Sequence, residues 1–393
     1  MEPLHGGSAE LERLSGFVHT FLNTRFRSVP LGRTASVAAM DEALRDCITV
    51  NGLGIDGAWT LMTDVVLRNT IGIDSERFLA FIPVSPSVAS AWADAVVGAT
   101  SVPAESWLEA AGAVAAENQV LVWLASLAGM PANAGGCFMS GGSIGNLSAL
   151  AVARQQRPDR RCVAVADTAH ASVYNTLHLL GMEAFVVPTA EDGRFTSSAL
   201  RHVIGDRADV GAVVGSAGST NAGLIDDLAG LARVSHDIGA WFHVDAAYGG
   251  AALLLSEFAD RMRGMALADS FIVDPHKWLF APAGSCALIY RDPSLAKAVH
   301  TQHGPYIDVL RHDGDEWNPA DFGYQLTRRA TGLPLWFSLV LHGTESYESA
   351  VRRGVELAGL AADLLRQIPN VSLVLEPELS VVLFRRAGWD AAD

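Results

Sequence analysis

Six short apolar runs alternate with helix-like stretches between residues 161 and 290, and this alternation constrains the fold more than any other feature. The runs stay apolar throughout, which is typical of strands covered on both faces. Such strands predict a mainly parallel sheet whose crossovers are helices. We predict strands at Arg161–Ala166, Ala184–Pro188, Val210–Ser216, Ala240–Asp245, Ser270–Asp274 and Cys286–Tyr290; a short link precedes the last one, which is therefore expected to be antiparallel.

The segments on either side carry other patterns. Apolar residues recur every three or four positions before the strands and again near the end of the chain, which indicates helices. Between them lies a long polar stretch with several Gly and Pro residues, interpreted as a mobile loop. The predicted elements are helices Ser106–Ala128, Ile144–Gln156 and Leu335–Ile368, the loop His300–Phe322, and strands Ser372–Leu375 and Ser380–Phe384.

Composition excludes several classes of protein. The 393 residues, half of them hydrophobic, are enough for a large domain with a smaller companion. A formal charge of −15 argues against nucleic acid or an anionic membrane as partner. The four scattered cysteines lack the spacing of a zinc site and predict buried thiols, hence a cytoplasmic protein without metal. Glu109 and Glu117 interrupt the Ala-rich run, so no membrane span is expected.

Two of the runs lead to side chains that carry chemistry. Asp245 ends one run, and Lys277 follows another, 32 residues later. An amine that forms a Schiff base and a carboxylate that holds a pyridinium nitrogen are what pyridoxal phosphate needs from a protein. The alternatives are a surface lysine and an N-cap aspartate. The apolar flanks of Lys277 and the small residues after Asp245 favour the cofactor site.

A glycine-rich turn, Ser140–Ser143, opens the helix Ile144–Gln156 and is typical of a phosphate site. Glycines let the backbone approach the oxygens, and the helix start offers free N–H groups. The alternative is an ordinary turn with an N-cap. His170 and Thr220 follow two other strands at the same expected edge, although a lone histidine is more often structural.

Taken together, these motifs resemble those of group II pyridoxal-phosphate-dependent amino acid decarboxylases, the family of aromatic-L-amino-acid, glutamate and diaminobutyrate decarboxylases. The resemblance spans roughly residue 25 to the end. Its motifs are Met139–Ser143, Ala169–Ser172, Val244–Tyr248 and Asp274–Trp278, with Arg77–Phe81, Thr327–Arg329 and Leu333–Trp336 as further family-like segments.

The resemblance implies pyridoxal 5'-phosphate as cofactor and an α/β fold of type I with a mainly parallel seven-stranded sheet. It divides the chain into an N-terminal helical dimerisation segment (1–75), a large cofactor domain (76–334) and a small C-terminal α+β domain (335–393) that is expected to be incomplete. It also implies a homodimer with the active site at the subunit interface. The implied roles are Lys277 for the Schiff base, Asp245 at the pyridine nitrogen, His170 on the ring face, Thr220 near the ring hydroxyl, and Gly142, Ser143 and His276 on the phosphate. Ala247 is also expected among the residues that bind the cofactor.

Two departures from the family pattern stand out. The family often has asparagine where this chain has Asp274, and an anion near a phosphate needs a proton or a turned-away side chain. A loop tyrosine is thought to protonate the α-carbon in these enzymes, but residues 309–322 contain none. His312, Tyr306 and Tyr324 are the alternatives.

The expected activity is decarboxylation of an L-amino acid, with an aromatic substrate suggested by overall resemblance alone. The same cofactor also supports aldehyde formation, which the tyrosine-free loop favours. A non-catalytic homologue is the remote alternative. A nucleotide-dependent dehydrogenase is disfavoured because no Gly-x-Gly-x-x-Gly follows the first strand.

Overall fold

The computed structural model describes residues 9–205, 207–308 and 316–389. The chain divides into two compact units between Val88 and Ala89.

The first unit is helical. Trp59 contacts Phe17 and Phe21, with ring centroids 5.7 and 6.0 Å apart. Arg25 and Asp74 form a part-buried ion pair at 2.6 Å. The helices are α1 (Ala9–Arg25), α2 (Val37–Ala43) and α3 (Gly54–Thr60), the last continuing through a π-helical turn, Leu61–Val66, and a 3-10 turn, Leu67–Asn69.

The second unit is built on a seven-stranded sheet with strand order β1-β7-β6-β5-β4-β2-β3. Only β7 runs against its neighbours, β1 and β6, while the other pairings are parallel. The predicted α/β fold with a mainly parallel sheet is therefore confirmed, as is the antiparallel final run. The strands are β1 (Gly135–Met139), β2 (Cys162–Ala166), β3 (Glu183–Val187), β4 (Val210–Ser216), β5 (Trp241–Asp245), β6 (Ser270–Val273) and β7 (Cys286–Tyr290).

Strand β1 is absent from the six predicted runs. Its two glycines and one cysteine give a weak apolar signal, yet all five residues are buried. Gly136 has no room for a side chain, because a Cβ there would stand 1.9 Å from the Leu288 carbonyl oxygen on β7. Close backbone packing, not apolar character, selects this sequence.

Helices cover the sheet. Helix α5 matches the predicted 106–128 stretch and is capped by Ser106, whose Oγ accepts the Glu109 N–H. Helix α6 begins two residues earlier than predicted. The helices are α4 (Val88–Thr100), α5 (Trp107–Leu127), α6 (Gly142–Gln156), α7 (Ala171–Leu180), α8 (Ser197–Ile204), α9 (Leu228–Asp237), α10 (Ala259–Met262), α11 (Pro275–Trp278), α12 (Pro293–His300), α13 (Pro305–Asp308), α14 (Leu333–His342) and α15 (Thr344–Leu365).

The sequence predicts no membrane span, yet helix α5 is long and apolar enough to cross a membrane. In the fold it is a core helix that buries an ion pair. Glu117 is 1 % exposed, pairs with Arg328 at 2.5 Å and accepts the Gly332 N–H at 2.8 Å. In the sequence Glu117 is a charged interruption of an apolar run. The pattern alone does not reveal that a buried arginine pairs with it.

The C-terminal region differs from the prediction in two respects. The expected single helix is divided at Gly343, whose φ of 75° ends α14 and starts α15. The final pair is β8 (Val371–Leu373) with β9 (Phe384–Arg386), antiparallel. The predicted strand 380–384 therefore starts four residues too early, because Ser380 binds Tyr248 instead of a strand partner.

Residues 316–322, at the end of the predicted mobile loop 300–322, contact the sheet. Trp317 stacks on Phe322 at 4.1 Å, and its indole N–H donates to the Gly136 carbonyl on β1. These contacts tie the end of the loop to the sheet. Residues 309–315, including His312, lie outside the described residues.

Candidate active site

The predicted site residues come from one side of the sheet. Six strands point the same way, so their carboxyl ends meet at a single edge, here called the carboxyl edge. The turn before α6 follows β1, and the next residues follow one strand each: His170 after β2, Thr220 after β4, Asp245 at the end of β5 and Lys277 after β6.

Asp245 is held by neutral donors. Its Oδ1 accepts the Ala247 N–H at 3.1 Å, and its Oδ2 accepts Asn146 Nδ2 at 3.0 Å. The side chain is partly buried, and no cation pairs with it among the described residues. Its negative charge is therefore available to a cationic group of a ligand.

Asn146 connects Asp245 to a buried polar group that the sequence analysis did not single out. Asn146 Oδ1 lies 2.9 Å from His243 Nε2, and His243 Nδ1 lies 2.8 Å from Ser270 Oγ. Burial lowers the pKa of His243 to about 4, against the raising effect of Asp245. The imidazole is therefore neutral at physiological pH. Asn146 lies in the predicted helix Ile144–Gln156 and His243 in the predicted strand Ala240–Asp245, but nothing in the sequence indicates that they meet.

His170 joins the same set of contacts. It caps α7, and its Nδ1 accepts the Ser172 N–H at 3.2 Å and lies 2.8 Å from Ser172 Oγ. Ser172 Oγ in turn lies 3.2 Å from Asn146 Nδ2. His170 itself is exposed at the carboxyl edge.

Lys277 lies in the single turn α11 and is one quarter exposed. Its Nζ is 3.2 Å from Asp274 Oδ2, while His276 Nε2 is 3.8 Å from the same oxygen. His276 Nδ1 contacts the Ser285 carbonyl at 2.6 Å. Asp274 is 3 % exposed, and its Oδ1 has no hydrogen-bond partner. The carboxylate is thus buried between the amine and the start of α6.

The start of α6 is open to an anion. No side chain caps it, and Gly142 leaves its first turn bare. A Cβ at Gly142 would stand 2.9 Å from Asp274 Oδ2, so this carboxylate faces the turn and is not turned away. Ser143 is exposed beside it. The Ser140 N–H donates to Gln325 Oε1 at 2.9 Å, a contact that the sequence analysis missed.

Thr220 is the predicted residue that the structure does not connect to the others. It lies exposed in the turn after β4 and makes no hydrogen bond among the described residues.

The chain is similar in sequence to a known protein family and to several of its members. Residues 61–387 match the pyridoxal-dependent decarboxylase conserved domain. An aromatic-L-amino-acid decarboxylase of Bacillus atrophaeus is 31 % identical over 371 residues, which cover 91 % of this chain and 77 % of the relative. An L-2,4-diaminobutyrate decarboxylase of Rhizobium meliloti (strain 1021) is 32 % identical over 350 residues, covering 85 % and 70 %.

Two further proteins are similar over most of the chain. A phenylacetaldehyde synthase of Petunia hybrida is 28 % identical over 339 residues, covering 79 % of this chain and 66 % of the relative. The crystal structure of Oryza sativa TDC with PLP and tryptamine matches with a TM-score of 0.91 at 24 % identity, covering 100 % of this chain and 86 % of that one. At this identity the structural likeness shows the fold.

Helix α6 packs closely against the sheet at Gly145, and this packing can be tested by substitution. A Cβ at Gly145 would stand 2.8 Å from Ile272 Cγ2 and 2.9 Å from Cys286 Sγ. We expect Gly145→Ala to cost roughly 1–3 kcal/mol through overpacking. The control is Gly359→Ala in α15, where nothing lies within 4 Å and alanine should stabilise by roughly 0.5–1 kcal/mol. Thermal unfolding should shift in opposite directions; a raised Tm for Gly145→Ala would refute the close packing.

Proposed function

This chain belongs to the pyridoxal-dependent decarboxylase family, a family of carboxy-lyases that use pyridoxal 5'-phosphate, and we propose that it converts an aromatic L-amino acid to the amine and carbon dioxide. The observation that carries the proposal is that Asp245 ends β5 and Lys277 follows the neighbouring strand β6, at the edge where α6 begins without a cap. The sequence contains only one other lysine, Lys297, which lies on α12, 3.8 Å from Asp321.

The carboxyl edge fits the cofactor. Bare N–H groups at Gly142 and Ser143 suit a phosphate, and His276 Nε2 lies 3.8 Å from Asp274 Oδ2, which faces the same turn. Lys277 offers an accessible amine, and Asp245 offers a carboxylate without a cation. These residues, with Ala247, would hold the phosphate and the ring nitrogen.

Bound pyridoxal phosphate supplies an acceptor for the electron pair that the departing carboxyl group leaves on the α-carbon. Asp245 would keep a proton on the ring nitrogen, which strengthens that acceptor. Lys277 would hold the cofactor covalently and release it to the amine of the incoming substrate. His170 would lie against the ring face and Thr220 near the ring hydroxyl. The orientation of the substrate then decides which α-carbon bond breaks.

The remaining proposals concern substrate and assembly. The aromatic-L-amino-acid decarboxylase relative supports an aromatic substrate. We also propose a cytoplasmic homodimer with the site at the interface, in which residues 1–75 serve dimerisation, 76–334 bind the cofactor and 335–393 form the small domain. Large apolar side chains that are almost fully exposed in the first unit support a partner there: Ile48, Val50, Leu79 and Phe81.

Aldehyde synthesis is the second candidate. The tyrosine-free segment 309–322 and the phenylacetaldehyde synthase relative favour it. The two activities differ in product, since the aldehyde route consumes oxygen and yields ammonia and hydrogen peroxide in place of the amine.

The substrate proposal predicts the outcome of an amino acid panel. L-Phenylalanine, L-tyrosine or L-tryptophan should release carbon dioxide with an equal amount of amine. L-Glutamate and L-2,4-diaminobutyrate should react with kcat/KM lower by about tenfold or more, because their polar side chains would lose hydration in an apolar pocket. Preference for diaminobutyrate would refute the aromatic substrate, and aldehyde as main product would establish the second candidate.

We expect the Asp274 carboxylate to weaken cofactor binding by electrostatic repulsion. Its buried carboxylate faces the turn that would hold the phosphate, so two anions repel there. Asp274→Asn removes the charge and should lower the Kd for pyridoxal phosphate by about tenfold, or ~1.4 kcal/mol. Asp237→Asn, an exposed aspartate on α9 paired with Arg201, is the charge-matched control. Weaker binding by Asp274→Asn in a fluorescence titration would show that the carboxylate helps to hold the cofactor.

A further inference from the structure

A buried hydrogen-bond network lies behind the carboxyl edge. It consists of four side chains, none more than 4 % exposed: Trp241, Ser270, His243 and Asn146. Buried polar groups are costly unless each one finds a partner. Here every member does, and one end of the network contacts Asp245.

The direction of the network is fixed by Asp245. A carboxylate only accepts hydrogen bonds, so the Asn146 amide must present Nδ2 to Asp245 at 3.0 Å. Asn146 Oδ1 therefore faces His243 and accepts from its Nε2–H at 2.9 Å. The imidazole, neutral because burial lowers its pKa to about 4, is left with an unprotonated Nδ1.

The hydrogen bonds of Ser270 and Trp241, at the end of the network away from Asp245, have the same donor-to-acceptor direction. An unprotonated Nδ1 on His243 must accept, so the Ser270 hydroxyl donates to it at 2.8 Å. Ser270 Oγ then needs a donor for its lone pair. The Trp241 indole N–H, which can only donate, supplies it at 2.9 Å. In this orientation each of the four side chains has a hydrogen-bond partner of the matching kind.

A branch reaches His170. The second Nδ2 hydrogen of Asn146 points to Ser172 Oγ at 3.2 Å, which leaves the serine hydroxyl hydrogen for His170 Nδ1 at 2.8 Å. The Ser172 N–H donates to the same nitrogen at 3.2 Å. With two donors facing Nδ1, the imidazole of His170 carries its proton on Nε2, the nitrogen farther from α7.

We propose that Asn146 and His243 are positioning residues that orient the Asp245 carboxylate and set the tautomer of His170. This inference rests on the proposed cofactor site. Among the described residues, both side-chain and backbone donors to Asp245 are neutral, so the network holds the carboxylate in place without adding a positive charge. One buried network thereby serves both groups expected to contact the cofactor ring.

The first test is the tautomeric state of the histidines, read by long-range ¹H–¹⁵N NMR of the full chain carrying its cofactor, with ¹⁵N-labelled histidine. His243 should show the neutral pattern with the proton on Nε2, and the neutral form of His170 should carry its proton on Nε2 as well. A proton on Nδ1 of either neutral imidazole, or a doubly protonated His243 at pH 7, would overturn the assignment. The reading needs no substrate, so it stands apart from any failure of the decarboxylase proposal.

The second test removes one link. His243→Phe should weaken cofactor binding by about tenfold and shift the visible absorption band of the bound cofactor, because Asp245 loses its fixed orientation. His300→Phe is the matched control, a buried histidine on α12 that contacts the Ser148 carbonyl. If His243→Phe does not fold, Ser270→Ala removes only the hydroxyl and should change the band in the same direction. Equal effects of the His243 and His300 variants would reduce the network to a structural role.

Discussion

The common direction of six strands is the constraint on which the rest of this structure depends. It gathers strand ends that are far apart in sequence at one edge, and the helix after β1 begins there with its N–H groups bare. Gly145 lets that helix approach β6 and β7 closely enough for Asn146 to reach both Asp245 and His243. Site geometry is therefore a consequence of helix–sheet packing.

Charge is distributed at this edge in an uneven way. The donors that contact Asp245 are neutral, whereas Asp274 is buried beside Lys277 and faces the start of α6. The Asp245 carboxylate can therefore pair with a cationic ring, and the Asp274 carboxylate lies where an anionic phosphate is expected. The second arrangement sets this chain apart from family members with asparagine at that position.

Much of this architecture could be predicted because buried parallel strands leave a continuous apolar signal, and chemistry-bearing residues follow their ends. Strand β1 escaped because glycine and cysteine pack closely without being strongly apolar. The break at Gly343 escaped because a single glycine is tolerated inside a helix and does not by itself predict an end. Asn146 and His243 could be read in the sequence, but their contact joins residues 97 positions apart and follows only from the seat of α6.

The proposed function requires that Lys277 binds the cofactor covalently. Its most direct test is borohydride reduction of the purified full chain, followed by mass mapping of the peptides. The two lysines of the sequence make the result unambiguous. We expect a stable cofactor adduct on Lys277 and none on Lys297. An adduct on Lys297, or cofactor released in full when the reduced protein is denatured, would contradict it.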